Sequence, residues 1–199
     1  MKIPVDRLDE AVAFANDRLL PTVRSCEGSL GLSMAINRET GSSIMVSSWK
    51  THETLRASAP VVDLLRAEAA ELFGDDPLVG EWEVAVMHRV SPSSDGSFLV
   101  VTWAHVDHGD VDSVLDLYRF WALPKVEVLP GFQSASLMYM REHGNFVGSI
   151  SFVDKASAEE AKPRLGLIRR EGIMAARGYY LDIEDFDLVL AHLDLPEYA

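Results

Sequence analysis

The stretch that decides the fold is LPTVRSCEGSLGLSMAINRETGSSIMVSSW, residues 20–49, because its pattern returns 103 positions later as LPKVEVLPGFQSASLMYMREHGNFVGSISF, residues 123–152. Both copies open on Leu-Pro, carry a glycine eight residues after the leucine, and place Arg-Glu two residues before a second glycine. The same offset relates Leu64 to Leu167 without a gap. The chain is therefore an internal duplication, and two units of similar architecture are expected.

Composition is that of an ordinary globular protein. The chain has 199 residues, of which 48% are hydrophobic and 25% charged, enough for two small cores. A net charge of -13 would repel phosphate backbones, so nucleic acid is not an expected partner. No apolar run is long enough to span a bilayer, and Met1–Arg7 lacks the features of a signal peptide. Cys26 is the only cysteine, which fits a reducing compartment. We expect a cytoplasmic protein with no membrane partner.

Periodicity predicts the same order of elements twice. Leu8, Val12, Ala15 and Leu19 have helical spacing, and Gly41 can supply the positive φ of a hairpin turn. The first unit is predicted to have a helix over 8–20 ended by Pro21, a hairpin over 31–38 and 43–49, a helix over 52–72 and a strand over 81–90. The second is predicted to have a strand over 98–105, a helix over 111–123 ended by Pro124, a hairpin over 135–141 and 145–152, a helix over 157–176 and a strand over 180–189.

The predicted domains are residues 1–90, a polar linker over 91–97 rich in turn-forming residues, and residues 98–199. Only the second unit opens with a clear strand. Either Met1–Val5 supplies a shortened version of this strand in the first unit, or another segment such as Phe186–Tyr198 completes the sheet edge. An uncovered edge would invite pairing with another chain.

The element order strand, helix, hairpin, helix, strand is the split βαβ order of a ferredoxin-like unit, with helices on one face of an antiparallel sheet. The other face of each sheet also has to be buried. Two units on one chain can cover each other's free faces. The predicted fold class is therefore α+β, with two ferredoxin-like units packed as an intrachain pseudo-dimeric α+β barrel.

With Glu27-Gly28, the run Arg38–Gly41 and Trp49-Lys50-Thr51-His52-Glu53, the chain resembles the antibiotic biosynthesis monooxygenase superfamily over nearly its whole length. The resemblance implies a dimeric α+β barrel, here made within one chain. It also implies a cleft between sheet and helices, in which cofactor-independent members oxidise polycyclic aromatic substrates beside a Trp that ends the third strand. Trp49 occupies that place, and Phe152 replaces it in the second unit. The alternative is that Trp49 is only a core residue.

Several side chains are candidates for a site around Trp49. His52 and His88 are candidate catalytic residues that would assist proton removal, since oxygenation without a cofactor needs the substrate as an anion. His88 has the alternative of a hydrogen-bonded core histidine. Arg38 is a candidate anion clamp, with an exposed ion pair as the alternative. Phe152 and Tyr139 are further candidates for substrate binding.

Cofactor sites have little support. Heme-degrading relatives would place a heme-ligating His nine or ten residues beyond the Trp. At those positions this chain has Ser58 and Ala59, and the second copy has Ala161 and Lys162. A displaced His52 as the heme ligand stays open. The run His105-Val106-Asp107-His108, followed by Asp110, has weak metal-ligand spacing and fits a solvated loop better. No metal and no cofactor is predicted.

Three functions stay open at this stage. The first is a cofactor-independent monooxygenase acting on a flat aromatic or phenolic metabolite. The second is a non-catalytic small-molecule-binding module of the same fold, and the third is a heme-binding or heme-degrading protein. The expected partner is a small-molecule ligand. The chain is expected to be a monomer with an internal pseudo-dimer or a homodimer.

Overall fold

The computed structural model describes residues 1–107 and 110–194. Within them the chain forms two compact units. Unit 1 comprises Met1–Val79 and residues 186–194, and unit 2 comprises Gly80–Asp185. This division differs from the predicted repeat boundaries at residues 90 and 98. Contacts assign the strand that follows the first copy to unit 2 and the end of the last strand to unit 1.

Unit 1 consists of helices followed by a hairpin and one long helix. Its elements are a short 3-10 helix (Val5–Arg7), α1 (Leu8–Phe14), a π-helical segment (Ala15–Leu19), α2 (Leu20–Ser25), β1 (Ser29–Ile36), β2 (Ser43–Trp49) and α3 (His52–Phe73). The end of the long strand β7 (Tyr179–Leu193) completes its sheet, because β1 pairs antiparallel with β2 on one side and with β7 on the other.

Unit 2 has the complete strand, helix, hairpin, helix, strand order. Its elements are β3 (Glu83–Arg89), β4 (Phe98–His105), α4 (Val111–Leu117), a second π-helical segment (Tyr118–Ala122), α5 (Leu123–Val126), β5 (Phe132–Met140), β6 (Asn145–Phe152), α6 (Lys155–Ala175) and the first half of β7. The strand order is β7, β4, β6, β5, β3, and β4 with β6, β6 with β5, and β5 with β3 all pair antiparallel. The predicted α+β class with antiparallel sheets is confirmed.

The duplication extends to single hydrogen bonds. In unit 1 the amide of Ile3 donates to Gly41 O at 2.8 Å, and in unit 2 the amide of Val106 donates to Gly144 O at 2.9 Å. Unit 1 has a single β-bridge between Lys2 and Ser42 at the position where β4 and β6 form a long antiparallel ladder in unit 2. Met1–Val5 therefore supplies a stub of the leading strand.

Residues from Phe186 onward pair with β1 on the side away from β2, so among the described residues they do not take the place of the leading strand beside β2. Residues 195–198 of the proposed edge segment, like His108, lie outside the described residues.

Pro21 and Pro124 do not end the first helices, contrary to expectation. Each lies at the start of a further helical segment, α2 or α5. A π-helical segment precedes each proline, at Ala15–Leu19 and Tyr118–Ala122. Proline has no backbone N–H to donate to the preceding turn, and its ring crowds the carbonyl group there. The wider π-turn accommodates both constraints.

Glycines with positive φ hold each hairpin against the following helix. Gly28 has φ 73° and Gly131 has φ 70°. A Cβ on Gly28 would overlap the side chain of Thr54, and one on Gly131 would overlap Ser157. Both partners lie in the first turn of a long helix, whose N-cap is Thr51 in α3 and Asp154 in α6. Gly41 has φ 72°, as predicted for the hairpin turn.

Each unit has its own hydrophobic core. The core of unit 1 packs α1 to α3 against β1 and includes Leu190 from β7. The core of unit 2 packs α4 to α6 against β3 to β6. None of the helices within the described residues has the length and apolar character that crossing a bilayer requires.

Candidate functional site

The predicted site residues are distributed over both units. Arg38, Trp49 and His52 lie in unit 1, and His88, Tyr139 and Phe152 lie in unit 2. Trp49 is half-buried at the end of β2 and packs against the unit 1 core. Its indole N–H donates to Ser47 Oγ at 3.2 Å.

The two polar candidates of unit 1 are exposed. His52 is the first residue of α3, and its Nε2 accepts a hydrogen bond from Arg56 Nε at 3.3 Å. Arg38 forms ion pairs with Asp9 at 3.4 Å and with Asp187 at 3.3 Å. Arg38 therefore takes part in exposed ion pairs. This was the alternative to an anion clamp that the sequence left open.

Unit 2 repeats this ion pair and adds a tyrosine. Arg141 donates to Asp112 at 2.9 Å, which holds the pKa of that carboxyl below its usual value. Arg141 also lies over the ring of Tyr139, 5.4 Å from its centroid. The Tyr139 hydroxyl donates to Glu83 Oε2 at 2.8 Å, and burial together with this bond raises the pKa of Tyr139.

Phe152 is fully buried, and it belongs to the unit 2 core together with Phe132 and Phe146. A side chain enclosed in this way contributes packing to the unit. Contact with a ligand would require the core to open. Its role in substrate binding stays a prediction.

His88 has the surroundings expected of a proton-transfer group. It lies on β3, opposite Ala135 of β5. Its Nε2 is 3.0 Å from Glu127 Oε2, and the imidazole is stacked on Phe132 with ring centroids 6.2 Å apart. The side chain is 24% exposed, so it is accessible without being solvated on all sides. A carboxylate at this distance stabilises the imidazolium that forms when the ring accepts a proton.

Three buried polar side-chain atoms have no hydrogen-bond partner among the described residues: His88 Nε2, Arg119 Nε and Gln133 Oε1. All three belong to unit 2, and His88 and Gln133 lie on the paired strands β3 and β5. For His88 the contact with Glu127 is therefore an electrostatic one, without hydrogen-bond geometry. Buried polar atoms are nearly always satisfied, so each exception marks a place for a polar ligand or ordered water. We name His88, Arg119, Glu127, Phe132 and Gln133 the β3–β5 site.

The π-helical segment aims two side chains at the sheet next to this site. Arg119 Nη2 donates to Ala85 O at 2.9 Å, where β3 has a bulge. The Tyr118 hydroxyl lies 3.5 Å from Ser136 O on β5, and its burial raises the pKa of Tyr118 well above the usual value. π-Turns recur at functional sites because they reorient side chains in this way.

Sequence reasoning missed Arg119, Glu127 and Gln133. A signal for two of them was present in the duplication, because the equivalent positions in the first copy are Asn16 and Arg24. At these two positions the side-chain charge differs between the copies, which indicates that the copies have diverged in chemistry there. His88 has no counterpart at the constant offset, since the register changes near Gly80.

The positions that would ligate heme do not fit that group. The Ser58 hydroxyl donates to Leu55 O, Ala161 is buried in the core, and Lys162 is paired with Glu159 and Asp185. None presents a free axial donor. His105, the first residue of the candidate metal motif, has its Nδ1 2.9 Å from Asn145 Oδ1, and within the described residues no group of three His, Cys, Asp or Glu could hold a metal ion.

Solved structures show which proteins share this fold. No family model matches the chain. The fold matches that of an anthrone oxidase-like protein, with a TM-score of 0.67, 14% identity and coverage of 96% of this chain and 90% of the other. It also matches a candidate monooxygenase from Lactobacillus acidophilus, with a TM-score of 0.67, 11% identity and coverage of 95% and 90%. The chain therefore shares its ferredoxin-like α+β fold with these two proteins.

Sequence comparison assigns the family more narrowly. The uncharacterized protein Rv2557 of Mycobacterium tuberculosis is 35% identical over 190 residues, which cover 96% of this chain and 85% of that protein. The uncharacterized protein Rv2558 of the same organism is 33% identical over 191 residues, covering 96% and 81%. The chain belongs to the family of these two proteins.

Proposed function

We propose that this chain binds a flat aromatic small molecule at the β3–β5 site and oxygenates it with O2, with His88 as the general base. The observation that carries the proposal is the 3.0 Å contact between His88 and Glu127 against the ring of Phe132. His88 Nε2 is also one of the buried polar atoms that have no hydrogen-bond partner among the described residues. The fold, shared with a candidate monooxygenase and an anthrone oxidase-like protein, supports the reaction class.

Each residue of the site has a distinct task. His88 takes a proton from an acidic C–H or phenolic O–H, and Glu127 stabilises the resulting imidazolium. Phe132, buried in the unit 2 core, holds the imidazole in place through the ring stack. Arg119 is anchored at Ala85 O, three residues along β3 from His88, or about 10 Å. Its guanidinium is placed to stabilise the oxygen of an enolate or phenolate.

The reaction balances without an added reductant for a CH2 group that a conjugated aryl ketone makes acidic. Removal of one proton gives a carbanion, which forms a C–O bond with O2 and, on protonation, a hydroperoxide. Loss of the second C–H proton and cleavage of the O–O bond give a new C=O and water. The substrate loses four electrons, and O2 accepts all four.

A second candidate is a non-catalytic binding module. The unpartnered atoms of the β3–β5 site favour it as much as they favour catalysis, because they call for a polar ligand and not for a reaction. In both cases the partner is a small molecule. The single cysteine supports a reducing, cytoplasmic setting for either function.

Anthrone is the probe that tests the proposal, since its CH2 lies between two aryl rings that are both conjugated to the ketone across the central ring, so that loss of one proton gives an aromatic enolate. We expect O2 uptake and formation of anthraquinone above the spontaneous background. His88→Ala should lower the rate about 10²-fold or more, the usual contribution of a general base. Glu127→Gln should lower it less and shift its pH profile, since Glu127 acts through His88.

The matched control is His143→Ala, which removes an exposed histidine of the same unit and should leave the rate unchanged. Binding of anthrone without O2 uptake would replace the oxygenase by the binding module. Equal rates in His88→Ala and the unmodified chain would overturn the assignment of the base.

A further inference from the structure

Unit 1 contains a structural counterpart of His88. In unit 2, His88 of β3 opposes Ala135 of β5. In unit 1, His192 of β7 opposes Leu32 of β1, which is equivalent to Ala135 at the offset of the duplication. Each ladder also has a register shift at the residue three positions before the histidine. The end of β7 therefore takes in unit 1 the place that β3 takes in unit 2, and His192 corresponds to His88.

A backbone hydrogen bond extends this equivalence beyond the paired strands. The amide of Val90 donates to Gln133 O at 2.8 Å in unit 2, and the amide of Asp194 donates to Leu30 O at 2.7 Å in unit 1. Val90 and Asp194 each lie two residues after the histidine, and Gln133 and Leu30 are equivalent in the duplication. The two places can therefore be compared residue by residue.

Two substitutions change the surroundings of the histidine in unit 1. Ser29 stands at the position of Phe132, whose ring is stacked on His88 in unit 2. Arg24 stands at the position of Glu127, the carboxylate next to His88. The first substitution removes a large ring, and the second reverses the charge. Unit 1 therefore keeps the histidine in surroundings that differ in volume and in chemistry.

A cavity of about 300 Å³ lies beside Ser29. Among the described residues it is lined by Arg24, Ser29, Leu30, Gly31, His192 and Asp194. All of these residues belong to unit 1. The corresponding place in unit 2 holds the ring of Phe132. The volume is at the lower end of the range for ligand sites, so the cavity suits a small molecule.

The cavity brings together charged side chains of both signs. Within the part of the chain that the structure describes, the side chains of Arg24, His192 and Asp194 have no hydrogen bond or ion pair. His192 and Asp194 lie two positions apart on extended backbone, so their side chains point to the same side with Cα atoms about 7 Å apart. Leu190 also lies on that side, in the core that contains α2. The cavity therefore offers a cation from α2, and an imidazole and an anion from the end of β7.

We propose that this cavity binds a free α-amino acid. The Arg24 guanidinium and an N–H of His192 hold the carboxylate, because a guanidinium matches the two oxygens of a carboxylate. The Asp194 carboxylate holds the ammonium group. An amino acid with an uncharged side chain is neutral overall, so the net charge of -13 does not repel it as it would repel a phosphate or a dicarboxylate. The proposal does not depend on the reaction at the β3–β5 site.

Three probes separate the two ends of the ligand. In an NMR titration of the isotope-labelled chain, L-alanine should shift the amide signals of Gly31 and Asp194 and give a dissociation constant. L-Lactate has the carboxylate without the ammonium group, and L-alaninamide has the ammonium group without the carboxylate. Each should bind about tenfold more weakly or worse, because each leaves a charged side chain without its partner. No shift with L-alanine, or equal affinity for L-lactate, would overturn the proposal.

A pair of arginine variants tests the cation. Arg24→Gln should weaken the binding of L-alanine about tenfold or more, since it removes the charged donor. The matched control is Arg18→Gln, which removes an exposed guanidinium of the same unit that pairs with Glu68. This control should bind L-alanine as the unmodified chain does. Equal weakening in both variants would show a general effect of charge and would overturn the site.

A second pair of variants tests the cavity itself. Ser29→Phe restores the ring of the second copy and should abolish binding of L-alanine, while circular dichroism shows that the fold persists. Ser29→Ala also removes the acceptor of the Gly31 amide but keeps the space, so it should still bind. If Ser29→Phe does not fold, the arginine pair decides. Unchanged binding of L-alanine by folded Ser29→Phe would overturn the location of the site.

Discussion

Trp49 and Phe152 stand at the same place in the two copies but have different surroundings. Phe152 is flanked by Phe98 of β4 and Phe132 of β5, and it is fully buried. Trp49 ends β2, which among the described residues forms a ladder with β1 and a single bridge with Lys2, and it is half-buried. Because its own unit does not fully enclose Trp49, part of the indole can contact a ligand. Trp49 therefore stays a predicted site residue.

The first prediction compares these two aromatics. A ligand bound at the β3–β5 site should be insensitive to Trp49→Phe, because Trp49 lies in unit 1. A ligand bound beside Trp49 would lose affinity, because phenylalanine cannot replace the indole N–H. Phe152→Ala should lower the free energy of unfolding by about 3–5 kcal/mol. Anthrone binding by fluorescence, measured on the folded fraction, separates the effects on binding and stability, and Phe152→Leu serves as a milder packing control. Loss of anthrone binding in Trp49→Phe would contradict the β3–β5 site and move the proposed site to the first copy.

The elements show how local chemistry sets their ends. Thr51 caps α3 through a capping box with Thr54, and Asp154 caps α6 by accepting from the Ser157 amide at 2.8 Å. These signals lie in the sequence next to the helices that they begin. The prolines after the first helices carried an ambiguous signal, because a π-turn allows a helix to continue through a proline.

A capping prediction belongs to this scale. Thr51→Ala should lower the free energy of unfolding by about 1 kcal/mol, since it leaves the Thr54 amide without its acceptor. Urea unfolding followed by circular dichroism gives the value. Thr51→Ser keeps the hydroxyl and should retain most of the stability; a loss as large as that of alanine would mean that the methyl group, and not the cap, stabilises the helix start.

At the scale of the whole molecule, β7 is divided between the two units. Residues up to Asp185 belong to unit 2, whereas Leu190 is fully buried in the core of unit 1. A segment far away in the sequence thus supplies part of the unit 1 core. The unit 1 fold should depend on it.

Leu190→Ala tests this dependence. Loss of a buried leucine should destabilise unit 1 by about 2–5 kcal/mol. Trp49 reports on unit 1 when the other tryptophans, Trp82, Trp103 and Trp121, are replaced by phenylalanine. The urea midpoint seen by Trp49 fluorescence should fall. Leu64→Ala, at an exposed position on α3, is the control and should leave the midpoint nearly unchanged.

The sequence by itself determined the duplication, the order of elements, the α+β class and the turn glycines, because periodicity, helix caps and positive-φ positions are local properties that a chain displays residue by residue. It also predicted Trp49 and His88 as site residues, and this stays a prediction. Only the tertiary structure decided which partners these residues have: that Glu127 meets His88, that Arg119 reaches Ala85, and that β7 enters unit 1. Such contacts join residues that are tens of positions apart in the sequence. They depend on strand register and helix packing, and no local sequence pattern encodes these.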